Sequence, residues 1–165
     1  MSQGAPEDAG RRSLLRHTVA TVAYRAGKAL KGAPPGFSSF RAGETSRSAG
    51  QILAHLVDLV DWAASKVRGQ EAWKESAVGS WDEDTKRFHE ALAALDAHLA
   101  SDAPLHASPE EIFQGPIADA LTHVGQIALL RRLAQAPVRG ENYARAEIVA
   151  GRTGPDQAAP RRDFE

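Results

Sequence analysis

Two stretches of this chain carry residue types from which metal or acid–base sites are built. In Asp119-Ala-Leu-Thr-His123 a carboxylate and an imidazole stand four residues apart. On a helix that spacing puts both on one face with Cβ atoms about 5–6 Å apart, which suits two ligands on one ion. It equally suits an exposed pair worth roughly a few tenths of a kcal/mol. His55 lies among Ile52, Leu56 and Leu59. An imidazole on an apolar stripe needs its nitrogens satisfied, by a hydrogen bond or by a metal. Taken alone, His55 reads as a core histidine bonded to a backbone carbonyl. Gln126, three residues past His123, is placed to orient a ligand or to hydrogen-bond across helices. Trp62 shares a face with His55 and either packs in the interior or walls a pocket. Arg131 and Arg132 suit a substrate carboxylate, an acid on a partner helix, or solvent. His17, His89, His98 and His106 show no partner spacing and read as surface residues.

Composition narrows the chemistry further. The chain has no cysteine, so thiolate nucleophiles, disulfides and cysteine-type zinc sites are excluded, and any metal falls to imidazole and carboxylate. A reducing cytoplasm fits that usage, and Met1 to Arg12 lacks the apolar run of a signal peptide, so the expected location is cytoplasmic. With 20 Lys and Arg against 21 Asp and Glu, the net charge of −1 offers no broad basic field. Neither nucleic acid nor an anionic membrane is therefore an expected partner. The longest uncharged apolar stretch, Ala120 to Leu130, is far below the ~20 residues a membrane span needs.

The elements that must position these residues are helical. Leu15, Thr18, Val19, Val22, Ala26 and Leu30 recur at spacings of three and four, predicting helix one from about Ser13 to Lys31. Pro34 and Pro35 stop it, and a long Ser-, Gly- and Thr-rich connection follows. Ser48 with Gln51 is a capping box opening helix two, which runs to about Arg68 and carries His55. Ser80 with Glu83 opens helix three, whose apolar face is Trp81, Phe88, Leu92, Leu95 and Leu99. Ser108 with Glu111 opens helix four, with Pro109 at its first position. Gln114, Gly115 and Pro116 predict a kink or a short first turn before the main helix, Ile117 to Ala134. On that helix Ile117, Ala120, Val124 and Ile127 form the main stripe, and Asp119, His123 and Gln126 an adjoining strip.

Residues 1–12 read as a flexible N-terminus, 13–150 as one domain and 151–165 as a mobile tail. Within the domain, Asn142 to Ala150 is a short extended or helical packing segment, and Gly140 to Tyr143 reads as a fold-back or a turn. No stretch alternates like a strand at length. The expected fold class is all-α, with each apolar stripe covered by another helix in a four-helix bundle.

The placement of His55 within Gln51-Ile-Leu-Ala-His-Leu-Val-Asp58, and of Thr122-His-Val-Gly-Gln-Ile127 in helix four, resembles the DinB/YfiT family across about Ser13 to Ala134. The resemblance implies an up-down-down-up bundle with a long connection between helices one and two, often a homodimer. It also implies a metal site of one histidine from helix two and two histidines four residues apart in helix four. His55 and His123 match the first and last of those positions, and Asp119 stands where the middle histidine is usual. Carboxylate is an acceptable ligand for Zn²⁺, Ni²⁺, Mn²⁺ or Fe²⁺. The ligand set implied is therefore His55, Asp119 and His123, with positions left open for catalysis.

The family's better understood branches imply thiol transfer or isomerisation with a low-molecular-weight thiol, and hydrolysis is related chemistry. The departure at Asp119 supports an alternative: a metal-free dimeric bundle acting as a small-ligand binder or interaction protein. Direct action on DNA has neither a basic stripe nor a recognition helix behind it.

Overall fold

Three serines start three of the helices. The computed structural model describes residues 4–161, 163 and 164. In it the Ser48 hydroxyl accepts from Gln51 N–H at 3.3 Å, and the Gln51 side chain accepts from Ser48 N–H at 2.8 Å. This reciprocal pair opens α2, Ala49–Val67. Ser80 with Glu83 does the same for α3, Trp81–Ala100, and Ser108 with Glu111 for α4, Pro109–Ile112. Ahead of them runs α1, Gly4–Leu30.

Pro116 has no N–H to offer, and around it the chain widens into a π turn, Phe113–Ile117, before returning to α geometry in α5, Ala118–Leu133. Of the kink or short first turn expected at Gln114 to Pro116, the structure shows a four-residue α4 joined to α5 by this π turn. α4, the π turn and α5 follow one another without a break, from Pro109 to Leu133.

Among the described residues the regular structure is helical apart from a two-residue antiparallel pair, β1 Gly140–Glu141 with β2 Asp163–Phe164. α2 packs on α3 and α5, and α1 packs on the same two. Their shared interior holds Val19 and Val22 of α1, Leu53 and Leu56 of α2, Phe88 and Leu92 of α3, and Ile127 of α5, all buried. None of the helices is long and apolar enough to cross a membrane.

The C-terminal end of α1 is closed by a side chain from α5. Arg131 donates to the carbonyls of Ala29, Lys31 and Gly32 at 3.0, 2.9 and 3.0 Å, and to Ala136 at 2.9 Å. These carbonyls have no partner within the helix, because Gly32 leaves it at φ +66 and two prolines follow. Arg131 is buried by this task, which removes it from the candidates for a substrate carboxylate.

Several expectations are corrected. α1 begins at Gly4, nine residues before the expected start. Residues 4–12 bring no apolar stripe, but their Ala, Glu and Arg content favours helix and Pro6 falls in the tolerant first turn. Arg12 holds this extension to the end of α3, donating to the Ser101 and Ala103 carbonyls at 2.9 Å each. Met1 to Gln3 lie outside the described residues.

The segment after Ala150 is docked where a mobile tail is expected from its glycines and prolines. Thr153 is buried, and its carbonyl accepts from His89 Nδ1 at 2.9 Å. His89 is accordingly an interior residue and not a surface one. The partner that buries it is 64 residues away, beyond the reach of local spacing. The segment before it, Asn142 to Ala150, includes a 3-10 turn at Tyr143–Arg145 and folds back on α1. There Tyr143 meets Tyr24 edge-on, and buried Glu141 accepts from Tyr24 Oη at 2.6 Å and Lys28 Nζ at 3.0 Å.

Candidate metal centre

α2 presents His55 at the margin of its buried stripe, between fully covered Ile52 and Leu59. α5 buries Ala120, Val124 and Ile127, which leaves Asp119, His123 and Gln126 on the strip beside them. Because α2 and α5 are packed together, the two margins meet. His55 Nε2 stands 3.7 Å from Asp119 Oδ2, and His123 Nε2 stands 3.5 Å from Asp119 Oδ1. One ligand atom from each of the three residues lies within 4.8 Å of the others. The imidazoles meet edge to face, with centroids 4.8 Å apart and planes at 88°.

These distances can be set beside those of two arrangements. A hydrogen bond between imidazole and carboxylate spans about 2.7–3.2 Å, shorter than either His–Asp contact. Two donors held at about 2.1 Å from one tetrahedral ion are separated by roughly 3.4 Å. The 3.5 and 3.7 Å separations run to different oxygens of Asp119, and with one donor atom from each residue the group spans up to 4.8 Å, looser than the edge of a filled polyhedron. His55, Asp119 and His123 form a group that could hold a metal ion.

The protonation state suits that use. Gln126 Oε1 lies 2.7 Å from His123 Nδ1. An amide oxygen only accepts, so Nδ1 carries the hydrogen, and Nε2 faces Asp119 at 3.5 Å. Burial holds His55 below the ordinary histidine value, and the positive charges of Arg47 and His123 act in the same direction against the opposing pull of Asp119. His55 is thus neutral at neutral pH and available as a ligand. Its side chain is 18% exposed and that of His123 12%, against 48% for Asp119. The carboxylate is the arm of the site that reaches solvent.

Three clefts converge here. One of about 520 Å³ runs between His55 and His123 on one side and Arg47, Ile52, Leu129 and Leu130 on the other. A second, about 450 Å³, reaches Asp119 past Leu59, Trp62 and Thr122. A third, about 230 Å³, passes from His55 and Arg47 to Asp58 and Glu75. A more voluminous cleft, about 620 Å³ between α1 and α4, carries no imidazole. Volume alone would point away from the chemistry.

Trp62 is half-buried and lines the second cleft, which makes it a wall of the pocket. Two neighbours escape sequence reasoning. Trp73 lies in the irregular connection between α2 and α3, and it sets its ring edge-on to both His55 and Trp62, at 5.6 and 5.8 Å. Buried Asp58, accepting from Ser76 N–H at 3.0 Å, helps fix that connection. No periodicity marks such a residue. Arg47 precedes the Ser48 cap and lines two of the clefts. An arginine set directly against a capping box was the available signal.

No family model matches the chain, and no curated protein and no solved structure matches it either.

Proposed function

We propose that this chain is a divalent-metal protein of the DinB/YfiT kind, a four-helix bundle of up-down-down-up topology working as a homodimer in the cytoplasm. His55, Asp119 and His123 are its ligands, and its activity is metal-dependent thiol transfer or hydrolysis. The observation that carries this reading is the convergence of the three donors from two helices to within 4.8 Å of one another.

The donor set fits Zn²⁺, Ni²⁺, Mn²⁺ or Fe²⁺, since imidazole serves the first two well and carboxylate widens the range to the harder ions. A divalent ion there supplies Lewis acidity, lowering the pKa of a thiol or water at an open position. The chain's own groups do the rest. Gln126 holds His123 in the tautomer that faces inward. Trp73 limits the swing of the His55 ring, and the clefts bring a small substrate to the donors.

Stripping the protein of metal and titrating Zn²⁺, Ni²⁺ and Mn²⁺ in a calorimeter tests the proposal. Uptake of one ion per chain, lost in His123→Ala, is expected. No stoichiometric uptake, or uptake that His123→Ala leaves unchanged, removes it. The second reading, a metal-free dimer that binds a small ligand, draws on Asp119, which is half exposed and stands at a position where the resembled family uses histidine. It gains if ions are refused while small molecules still bind the clefts.

A further inference from the structure

Arg47 is the residue beside the site whose charge nothing in the fold employs. It is exposed, whereas the arginines and lysines packed into the body are engaged: Arg12 on carbonyls, Arg16 on Asp96, Lys28 on Glu141, Lys66 on Glu71, Arg87 on Asp84 and Arg131 at the end of α1. Among the described residues, no hydrogen bond or ion pair holds Arg47. Its backbone is not loose. The next residue, Ser48, is buried and makes both bonds of the α2 capping box, so the guanidinium swings from a fixed root.

That root stands where two clefts join. Arg47 and His55 line both the 520 Å³ and the 230 Å³ cavity, and the arginine is near enough for its charge to oppose protonation of the imidazole. The larger cavity is lined by apolar Ile52, Leu129 and Leu130 together with Ser46, Gln126, His55 and His123. A small-molecule site combines an apolar lining with a few polar groups that fix orientation, in a volume of about 300–1,000 Å³.

We infer that this cleft takes a small organic monocarboxylate, its charge held by Arg47, its apolar part on Ile52, Leu129 and Leu130, and its reacting end turned toward His55 and His123. The assignment of the reacting end rests on the metal reading given above; the recognition of the anion does not. A planar guanidinium fork matches a carboxylate in two parallel hydrogen bonds. Glu75 and buried Asp58 line the smaller cavity beside Arg47, so a singly charged carboxylate on the guanidinium meets less repulsion there than a phosphate dianion.

The test compares hexanoate with hexanamide, which share a chain and a shape but differ in charge. Binding is measured by calorimetry on protein stripped of metal, because a carboxylate also ligates Zn²⁺ directly. Hexanoate is expected to bind wild-type protein at least about tenfold more tightly than hexanamide. The preference should vanish in Arg47→Gln and return in part in Arg47→Lys. Equal affinities in the wild type, a preference that persists in Arg47→Gln, or no binding of either compound overturns the inference. Zn²⁺ uptake by the wild type is read separately. If no Zn²⁺ is taken up while the preference depends on Arg47, the metal reading fails and the anion site stands.

Discussion

The Gln126 amide oxygen lies 2.7 Å from His123 Nδ1, one turn along α5, and that bond decides which nitrogen of the imidazole looks into the site. A ligating histidine whose other nitrogen is unheld samples both ring orientations and both tautomers, and binding must then select one of them.

Gln126→Ala should therefore weaken metal binding by about 10–100-fold while the fold stays intact. Zn²⁺ titration beside a circular dichroism spectrum reads both. Gln126 is exposed, so a structural role predicts no change in affinity, and unchanged affinity would refute the orienting role.

Asp119 sets the preference among ions. Replacing the carboxylate with imidazole, Asp119→His, should shift competition between Zn²⁺ and Mn²⁺ toward Zn²⁺, because imidazole is the poorer ligand for the harder ion. Asp119→Asn keeps the shape, loses the charge, and should weaken both. A Zn²⁺:Mn²⁺ ratio that stays the same in Asp119→His counts against direct ligation by this side chain.

His89 links the docked C-terminal segment to pH. Burial holds its proton affinity below the ordinary value of 6.5, with the bond to Thr153 pulling the other way. Between the folded value and 6.5 the unfolded chain binds more protons than the folded one, so stability rises with pH across that window. The contribution is complete above the unfolded value and is lost as pH falls through the folded one. Urea midpoints taken at about pH 7.5 and about pH 5.5 should differ more in the wild type than in His89→Gln, which keeps a donor for the Thr153 carbonyl. Equal differences in the two proteins would rule this linkage out.

Arg131→Met should be among the costlier single changes outside the apolar core. It leaves three carbonyls at the end of α1 and one after α5 without their donor. Leaving buried acceptors unsatisfied costs about 1–3 kcal/mol, read as a lower denaturant midpoint with an unchanged slope. A loss no larger than that of an exposed Arg132→Met would show that water replaces these bonds freely.

The parts of this structure legible in the sequence are those written locally. The serine caps at 48, 80 and 108 each need only a partner three residues on, and each appears as a capping box. The face shared by Asp119 and His123 follows from helical spacing alone. Their meeting with His55 does not, since it depends on how α2 and α5 pack, and only the resemblance placed the three together. The burial of His89 by Thr153, the use of Arg131 on α1 and the approach of Trp73 to His55 all join residues far apart in the chain, or draw on a connection without period. The first turns of α1 are illegible for the opposite reason: they have no apolar stripe, and intrinsic propensity with the two Arg12 bonds sustains them.

The π turn at Phe113–Ile117 has a bearing on how this chain can vary. It stores one residue beyond what an α-helix needs between the Ser108 start and the first donor on α5. Such slack separates two requirements that a regular helix would lock together, the place where the rod begins and the direction its carboxylate and imidazole point. Losing one residue there would take up the slack and leave both donors aimed at α2, whereas the same loss between Asp119 and His123 would turn one away from the other.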